Sequence, residues 1–452
     1  MTDKQANLPA NKYFGTDGFR GEAGVSLTAE QAFRIGQVLG HYYKKEGSRP
    51  RAVIGKDTRR SSYMLEYAIS AGLASAGADA HLLHVTTTPS VSYVTANDGF
   101  DFGVMISASH NAYMDNGIKV VDSRGEKLSD ATIEALEDLM DNGNIPAARG
   151  ADIGEIVDCY AGRNRYVGYL ISLARHSYRS YRVGLDCSNG GAWTIARSVF
   201  EALGAKVYAI GIEPDGININ DGVGSTHIET LVRHVKDNGL DVGFAFDGDA
   251  DRCIAVDEMG EVVNGDHTLY ILGTAMKARG ELTGNTVVTT VMSNLGLYRA
   301  LDKAGIRYEQ TTVGDRYVYE NMRANGYTIG GEQSGHTILS KYATTGDGIL
   351  TAIMLMESMI EAKTPLSKLK SPVTMYPQVT VNVRVADKSV IRNESVLKKA
   401  DEVRVALGDK GRILMRESGT EPVVRVMVEA ESEELCRLAE EVADAIRKAY
   451  AN

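Results

Sequence analysis

Asp247-Gly-Asp-Ala-Asp-Arg252 sets three carboxylates at alternate positions of one short segment, with Gly248 and Ala250 between them. In an extended loop, residues two apart project to one side, and small intervening residues let the backbone curl around a cation. Oxygen ligands of this kind suit a hard ion such as Mg2+, which keeps places for water or a phosphate oxygen. A calcium loop is the competing reading, because Glu258 stands twelfth counting from Asp247. Against it, Arg252 occupies the place of the turn glycine, and the flanks 242–246 and 254–256 read as strands instead of helices. The bland alternative is a solvated acidic turn. Arg252 beside three metal ligands also points to phosphate, since a guanidinium fork holds oxygens bidentately.

Four further segments carry chemical side chains. Ile106-Ser-Ala-Ser-His-Asn111 follows an apolar run that reads as a buried strand, and ligands of open α/β sheets bind where strands end. Ser109 is placed to act there, with His110 adjacent and Lys119 nearby as a cation; an ordinary turn serine is the alternative. Gly330-Gly-Glu-Gln-Ser-Gly-His336 offers Glu332 and Gln333 as partners for sugar hydroxyls and His336 for proton exchange, or else is a structural loop. Arg416-Glu-Ser-Gly-Thr-Glu-Pro422, with Arg425 beyond, combines hydroxyls, backbone N–H groups and arginines into an anion nest, or else a surface turn. Gly15-Thr-Asp-Gly-Phe-Arg20-Gly is another turn carrying an arginine. Phosphate-binding G-x-x-x-x-G-K-[ST] and zinc-binding H-E-x-x-H patterns do not occur in the sequence.

The elements that must position these loops alternate as βαβ units. Apolar strand-like runs at 52–55, 81–85 and 102–106 accompany a helix over 61–76. After a polar stretch at 141–154 the rhythm restarts with strands 182–187 and 206–210 around a helix near 193–203. A third round has strands at 286–291, 308–313 and 328–330 and helices over 295–304 and 316–324. A linker is expected near 362–372. Beyond it, an alternating 379–385, strands at 412–415 and 423–428 and a closing helix from about Ser432 make a smaller α+β unit. In that helix Leu435, Leu438, Val442, Ile446 and Ala449 keep one face, with acids at its start and bases at its end. The fold class is therefore α/β, with three related α/β domains (1–155, 156–258 and 259–368) and a C-terminal domain (369–452).

The 452 residues carry 49 Lys plus Arg against 59 Asp plus Glu, a net charge of −10. That balance argues against nucleic acid as a partner, although a local basic cluster still governs a cleft. Cys159, Cys187, Cys253 and Cys436 are widely spaced, which suggests small buried thiols, neither disulfides nor a zinc site. The polar N-terminus and the absence of a run of about 18 apolar residues lead us to expect a cytoplasmic protein with no membrane partner.

Taken together and in this order, the serine, DGDADR, GEQSGH and SGTEP loops, with the Gly15–Gly21 turn, resemble the α-D-phosphohexomutase superfamily along the whole chain. Gly15-Thr-Asp-Gly, Gly331-Glu-Gln-Ser-Gly-His and Ser418-Gly-Thr-Glu-Pro look most like the bacterial members that act on glucosamine phosphate. The resemblance implies four domains around a central cleft and an isomerase that interconverts glucosamine 6-phosphate and glucosamine 1-phosphate, supplying UDP-N-acetylglucosamine synthesis. It implies that Ser109 must be phosphorylated and that Asp247, Asp249 and Asp251 bind Mg2+ together with that phosphoserine. Glu332 and Ser334 would bind the sugar, and Arg416, Ser418, Gly419, Thr420 and Arg425 the phosphate that is not transferred. Arg20, His110, Lys119 and Arg252 would surround the transferring group, with Lys119 or His336 as general base. A phosphoglucomutase or phosphomannomutase with the same machinery, a Mg2+-dependent sugar phosphatase and a noncatalytic sugar-phosphate binder remain as alternatives. One departure is Ala112, where the superfamily usually has proline; losing the fixed φ is expected to loosen the serine loop. Phe19 in place of the common isoleucine is a minor apolar exchange.

Overall fold

The computed structural model describes residues 12–15, 17–417 and 422–451. The chain forms two compact bodies. One contains the described residues up to Val291 together with Tyr308–Lys370, and the other Met292–Arg307 together with the chain from Ser371 on.

The larger body holds three sheets. The first contains β1 (Phe19–Glu22), β2 (Arg51–Lys56), β3 (Asp79–Val85), β4 (Phe102–Ile106), β5 (Asp115–Asp122) and β6 (Ile156–Asp158), ordered β1-β5-β4-β2-β3-β6. β4, β2, β3 and β6 run parallel, β5 returns antiparallel to β4, and β1 lies antiparallel to β5. The parallel strands are apolar on both faces because helices cover both. Ala52, Ile54, Phe102 and Val104 pack with Ile35, Leu39, Leu65 and Ile69 of the helices at 29–42 and 60–75. Val53, Leu83 and Met105 pack on the other side with Val91 and Val94 of helix 88–97.

The second sheet has β7 (Arg182–Asp186), β8 (Lys206–Ile210), β9 (Val242–Phe246), β10 (Cys253–Asp257) and β11 (Val262–Val263), ordered β11-β10-β9-β7-β8. The third has β12 (Thr286–Thr290), β13 (Arg307–Thr311), β14 (Ile329–Gly331) and β15 (Thr337–Leu339), ordered β13-β12-β14-β15. One device recurs in all three sheets: a parallel strand is followed by a loop and an antiparallel neighbour, as β4–β5, β9–β10 and β14–β15. The serine, aspartate and Glu332–His336 loops occupy these three equivalent turns, so the repeat of architecture read from the sequence is also a repeat in where chemistry is placed.

The smaller body is built on an antiparallel sheet of β16 (Gln378–Arg384), β17 (Gly411–Glu417) and β18 (Val423–Ala430), ordered β16-β18-β17. Helices 394–407 and 438–451 bury Val396, Val403, Val442 and Ile446 against Val424, Val426 and Val428. The closing helix is interrupted at Arg437, which separates Glu433–Cys436 from Leu438–Ala451. Helix Leu295–Lys303 belongs to this body: the Leu295 N–H donates to Glu429 Oε2 at 3.0 Å, and Arg299 pairs with Glu431 at 3.0 Å. The expected linker near 362–372 contains a short helix, Leu366–Lys370, anchored by buried Leu366. All four cysteines are free; Cys187, Cys253 and Cys436 are buried as expected, whereas Cys159 is only half-buried. Among the described residues no helix is long and apolar enough to cross a membrane.

Helices 29–42 and 60–75 approach closely because each presents a glycine to the other's backbone. A Cβ on Gly36 would lie 2.3 Å from Ile69 O, and one on Gly72 would lie 2.1 Å from Phe33 O. Gly36→Ala and Gly72→Ala should therefore each destabilise the protein by about 1–3 kcal/mol, despite alanine's better helix propensity. Urea midpoints at or above wild type would contradict this contact.

Candidate functional site

Ser109, at 2% exposure, is a non-glycine residue in the left-handed region, with φ +54. Its Oγ donates to Asp247 Oδ2 at 2.5 Å and lies 3.4 Å from His110 Nδ1, while its N–H donates to Ser107 Oγ at 3.0 Å. The turn after β4 therefore meets the turn after β9.

In that second turn Asp247 and Asp249 are fully buried and Asp251 nearly so, and a carboxylate oxygen from each lies within 4.8 Å of the others. Ala250, at φ +55, makes the bend between them. Neighbours from two helix starts and the turn after β7 fix the backbone: the Thr88 N–H donates to Asp249 O at 3.0 Å, the Gly191 N–H to Gly248 O at 2.8 Å and the Gly348 N–H to Ala250 O at 2.9 Å. Asp249 Oδ1 and Asp251 Oδ1 are buried without a hydrogen-bond partner. Three converging carboxylates with buried oxygens left over fit an oxygen-liganded divalent cation.

The charges explain the neighbours. Burial, then the charges of Asp251 and Asp249, push Asp247 up to about 8. Burial also works against ionised Asp251, but Lys119 and His336 hold it well below the ordinary range. Lys119, on β5, reaches Asp249 Oδ2 at 2.6 Å and Asp251 Oδ2 at 3.5 Å; burial opposes its charge, yet the two aspartates raise it above an ordinary lysine. The Arg252 N–H donates to Asp247 Oδ1 at 3.2 Å, and the Arg252 side chain lies 3.9 Å from Asp251. Burial, then Arg252 and Arg20, lower His110.

The third turn docks on the second. Arg252 and His336 form an isolated antiparallel bridge, and the Cys253 N–H donates to Gly335 O at 3.1 Å. His336 is buried, with Nδ1 3.8 Å from Asp251 Oδ1 and Nε2 3.3 Å from Asp315 Oδ2. Burial disfavours its charge, but Asp315 and Asp251 raise it above an ordinary histidine. Glu332 Oε1 accepts the Gly314 N–H at 3.0 Å, and Ser334 is exposed.

Several participants carry no motif. Asp315 pairs with Lys127 at 2.7 Å, Lys127 with Asp17 at 3.1 Å, and Asp17 with Arg20 at 3.6 Å, so an alternating chain of charge runs from Arg20 to His336 and Asp251. Burial works against ionised Asp17 and Asp315, but Lys127 keeps both below the ordinary range. Thr88 donates its hydroxyl to Asp249 Oδ2 at 2.5 Å. The Gly15–Gly21 turn contains Asp17, and Gly314 before helix 315–325 offers a faint signal for Asp315; Lys127 and Thr88 offer none.

Ser109, His110, Lys119, Arg20, Arg252, Asp247, Asp249, Asp251, Glu332, Ser334 and His336 thus belong to the larger body. Arg416 and Arg425 belong to the smaller one, as directly opposed residues of β17 and β18. Like charges facing across a ladder are unfavourable unless an anion lies between them. Ser418, Gly419 and Thr420 lie outside the described residues.

Four family profiles match the chain in order: phosphoglucomutase/phosphomannomutase alpha/beta/alpha domain I over residues 11–145, domain II over 164–260, domain III over 264–376 and the C-terminal domain over 381–445. The chain is 60% identical over 447 residues to a phosphoglucosamine mutase of Lachnospira eligens, covering 97% of this chain and 99% of that one. It is 50% identical over 428 residues to the phosphoglucosamine mutase of Bacillus subtilis, covering 94% and 96%. In fold it is similar to a phosphoglucomutase/phosphomannomutase family protein from Burkholderia thailandensis, with TM-score 0.79, 23% identity and coverage of 96% and 97%. It is also similar to Aspergillus fumigatus N-acetylphosphoglucosamine mutase in complex with GlcNAc-6P and magnesium, with TM-score 0.69, 18% identity and coverage of 97% and 96%.

The state of Asp247 makes the aspartate turn testable. An unfolded carboxylate titrates near roughly 3.9, and the folded one near about 8. Between those values the folded chain holds a proton that the unfolded chain has released, so this group's contribution to stability falls as pH rises. In chelated protein, Asp247→Asn, which stays neutral, should gain stability relative to wild type from about pH 4 to about pH 8. Urea midpoints that stay parallel across that range would refute the assignment.

Proposed function

The chain belongs to the phosphoglucosamine mutase family, and from that membership we propose that it interconverts glucosamine 6-phosphate and glucosamine 1-phosphate with Ser109 as the phosphoryl carrier. The observation that carries this reading is the buried Ser109 hydroxyl held 2.5 Å from Asp247 Oδ2, at the meeting of the serine and aspartate turns. A serine so enclosed is poorly placed to attack bulk solutes and well placed to bear a group that faces a cluster of charge.

The reaction follows from phosphoryl-transfer chemistry. Phosphorylated Ser109 gives its phosphoryl group to the free O1 hydroxyl of glucosamine 6-phosphate: the Oγ–P bond breaks, an O1–P bond forms, and the hydroxyl proton passes to a base. The resulting glucosamine 1,6-bisphosphate turns end for end. Its O6–P bond then breaks as Ser109 Oγ takes that group back and O6 receives the proton from the base, which releases glucosamine 1-phosphate. Little covalent work falls to the protein, whose task is positioning and charge stabilisation in a loose transition state. Arg252, Lys119 and Arg20 supply cationic charge and His110 lies beside the serine. Asp247, Asp249 and Asp251, with the phosphorylated Ser109, would hold Mg2+. When bound, that ion neutralises charge on the phosphoryl oxygens.

Lys119 and His336 are the two candidates for the base; despite burial, carboxylates hold both toward the charged form, Asp249 and Asp251 in the case of Lys119 and Asp315 and Asp251 in the case of His336. Glu332 and Ser334 are assigned to the sugar, and Arg416 and Arg425, with Ser418, Gly419 and Thr420, to the phosphate that stays in place.

The 49–60% identity to enzymes of this name favours the glucosamine substrate over glucose or mannose phosphates. Ser109→Ala should abolish turnover while the urea midpoint changes little, and chelation of divalent cations should abolish it as well. Intact mass and phosphopeptide mapping should place one phosphate on Ser109, and kcat/KM should be highest for glucosamine 6-phosphate among the three sugars. Turnover that survives Ser109→Ala would overturn the mechanism, and a phosphoaspartate with net phosphate release would point to a phosphatase instead.

A further inference from the structure

The left-handed conformation of Ser109 is strained for a residue with a Cβ, so something must hold it. Two donors do. Arg59 Nη2 donates to Ser109 O at 3.2 Å and to Asn111 O at 2.6 Å. Asn220 Nδ2 donates to the same two oxygens, at 2.9 and 3.0 Å. Arg59 opens helix 60–75 beside the first sheet, and Asn220 lies between β8 and β9 of the second. The serine turn is thus gripped from two domains through one pair of carbonyl groups.

Both grips are themselves well founded. Arg59 and Asp57 are fully buried and ion-paired, and Asp57 Oδ1 also accepts the Arg59 N–H at 3.0 Å and the Ser62 hydroxyl at 2.7 Å. Asn220, 5% exposed and at φ +59, anchors its backbone by donating its N–H to Ser188 O at 2.9 Å. Its Oδ1 is buried without a hydrogen-bond partner, so the side chain's polar contacts go to the serine turn alone.

We propose that Arg59 and Asn220 are positioning residues that hold Ser109 left-handed, so that its Oγ meets Asp247 and a phosphoryl group on it stands in line with the incoming hydroxyl. The proposal rests on Ser109 being the phosphoryl carrier. It requires no contact between either residue and the substrate, so their loss should act on the transfer step and leave sugar binding unchanged.

Asn220→Gly is the cleanest test, because glycine tolerates the positive φ and only the amide is lost. Arg59→Lys keeps the charge facing Asp57 but loses the planar fork. After loading with glucose 1,6-bisphosphate, each variant and wild type are assayed with glucosamine 6-phosphate for kcat and KM, with Ser109 phosphate measured by intact mass and folding by urea midpoint. We expect kcat to fall about ten- to hundredfold, with KM within about twofold of wild type and Ser109 still phosphorylated. The double variant should lose less than the product of the single losses, because both donors hold the same carbonyls. If kcat in folded Asn220→Gly or Arg59→Lys stays within about twofold of wild type, or if the loss lies in KM, the proposal is wrong. Turnover that survives Ser109→Ala, or a wild type without mutase turnover, would instead overturn the underlying reading, whatever the Arg59 and Asn220 variants show.

Discussion

Three carboxylates confined to one buried turn are the constraint around which the larger body is organised. Taken out of water and set within 4.8 Å of one another, Asp247, Asp249 and Asp251 could not all remain charged without compensation. The fold answers from every side. Lys119 comes from the first sheet, Arg252 from the turn itself and His336 from the third sheet, while Thr88 contributes a hydroxyl and a backbone N–H. Compensation is incomplete, since two carboxylate oxygens stay buried without a hydrogen-bond partner and Asp247 is driven towards its neutral form. That shortfall in positive charge is what a bound divalent cation would make good.

The repeated strand, turn and antiparallel return explains how such a site is assembled from three domains. Each sheet delivers one loop of distinct chemistry from the same topological place, and bonds between the loops lock them together. The Arg252–His336 bridge joins the second turn to the third, and Ser109 to Asp247 joins the first to the second. Outside this cluster, the charges from Arg20 through Asp17, Lys127 and Asp315 extend the pairing from the first domain to the third. The site is therefore preorganised by contacts that are themselves ionic and buried, and losing one partner exposes the next.

The sequence made some of this legible and hid the rest for physical reasons. The parallel strands show plainly at Val53–Ile54, Val104–Ile106 and Val183–Leu185, because burial on both faces demands an unbroken apolar run. β5 does not announce itself: Asp115-Asn-Gly opens it in turn-like residues, although Lys119 projects from it into the site. Helix Gly348–Ala362 is apolar nearly all round because it is buried, so it lacks the one-sided spacing that marks a surface helix. Among functional residues, Ser109, Asp247, Asp249, Asp251 and His336 stand out because their loops concentrate polar chemistry between strands. Arg59, Asn220 and Lys127 are ordinary polar residues far apart in the chain, and only folding reveals that they serve one place.

Helix Leu295–Lys303 lies in sequence between two strands of the third sheet yet belongs to the smaller body. The chain consequently passes between the two bodies three times, near Val291, Tyr308 and Lys370, where a single linker was expected. Residues from Ser371 onward are therefore an incomplete module: cut out alone, they would uncover Glu429, which is fully buried and accepts the Leu295 N–H. Proteolysis in the last crossing would leave the smaller body still tethered by both ends of that helix. Evolutionary exchange of the C-terminal region between relatives would likewise have to preserve the surface that receives a helix encoded some seventy residues upstream.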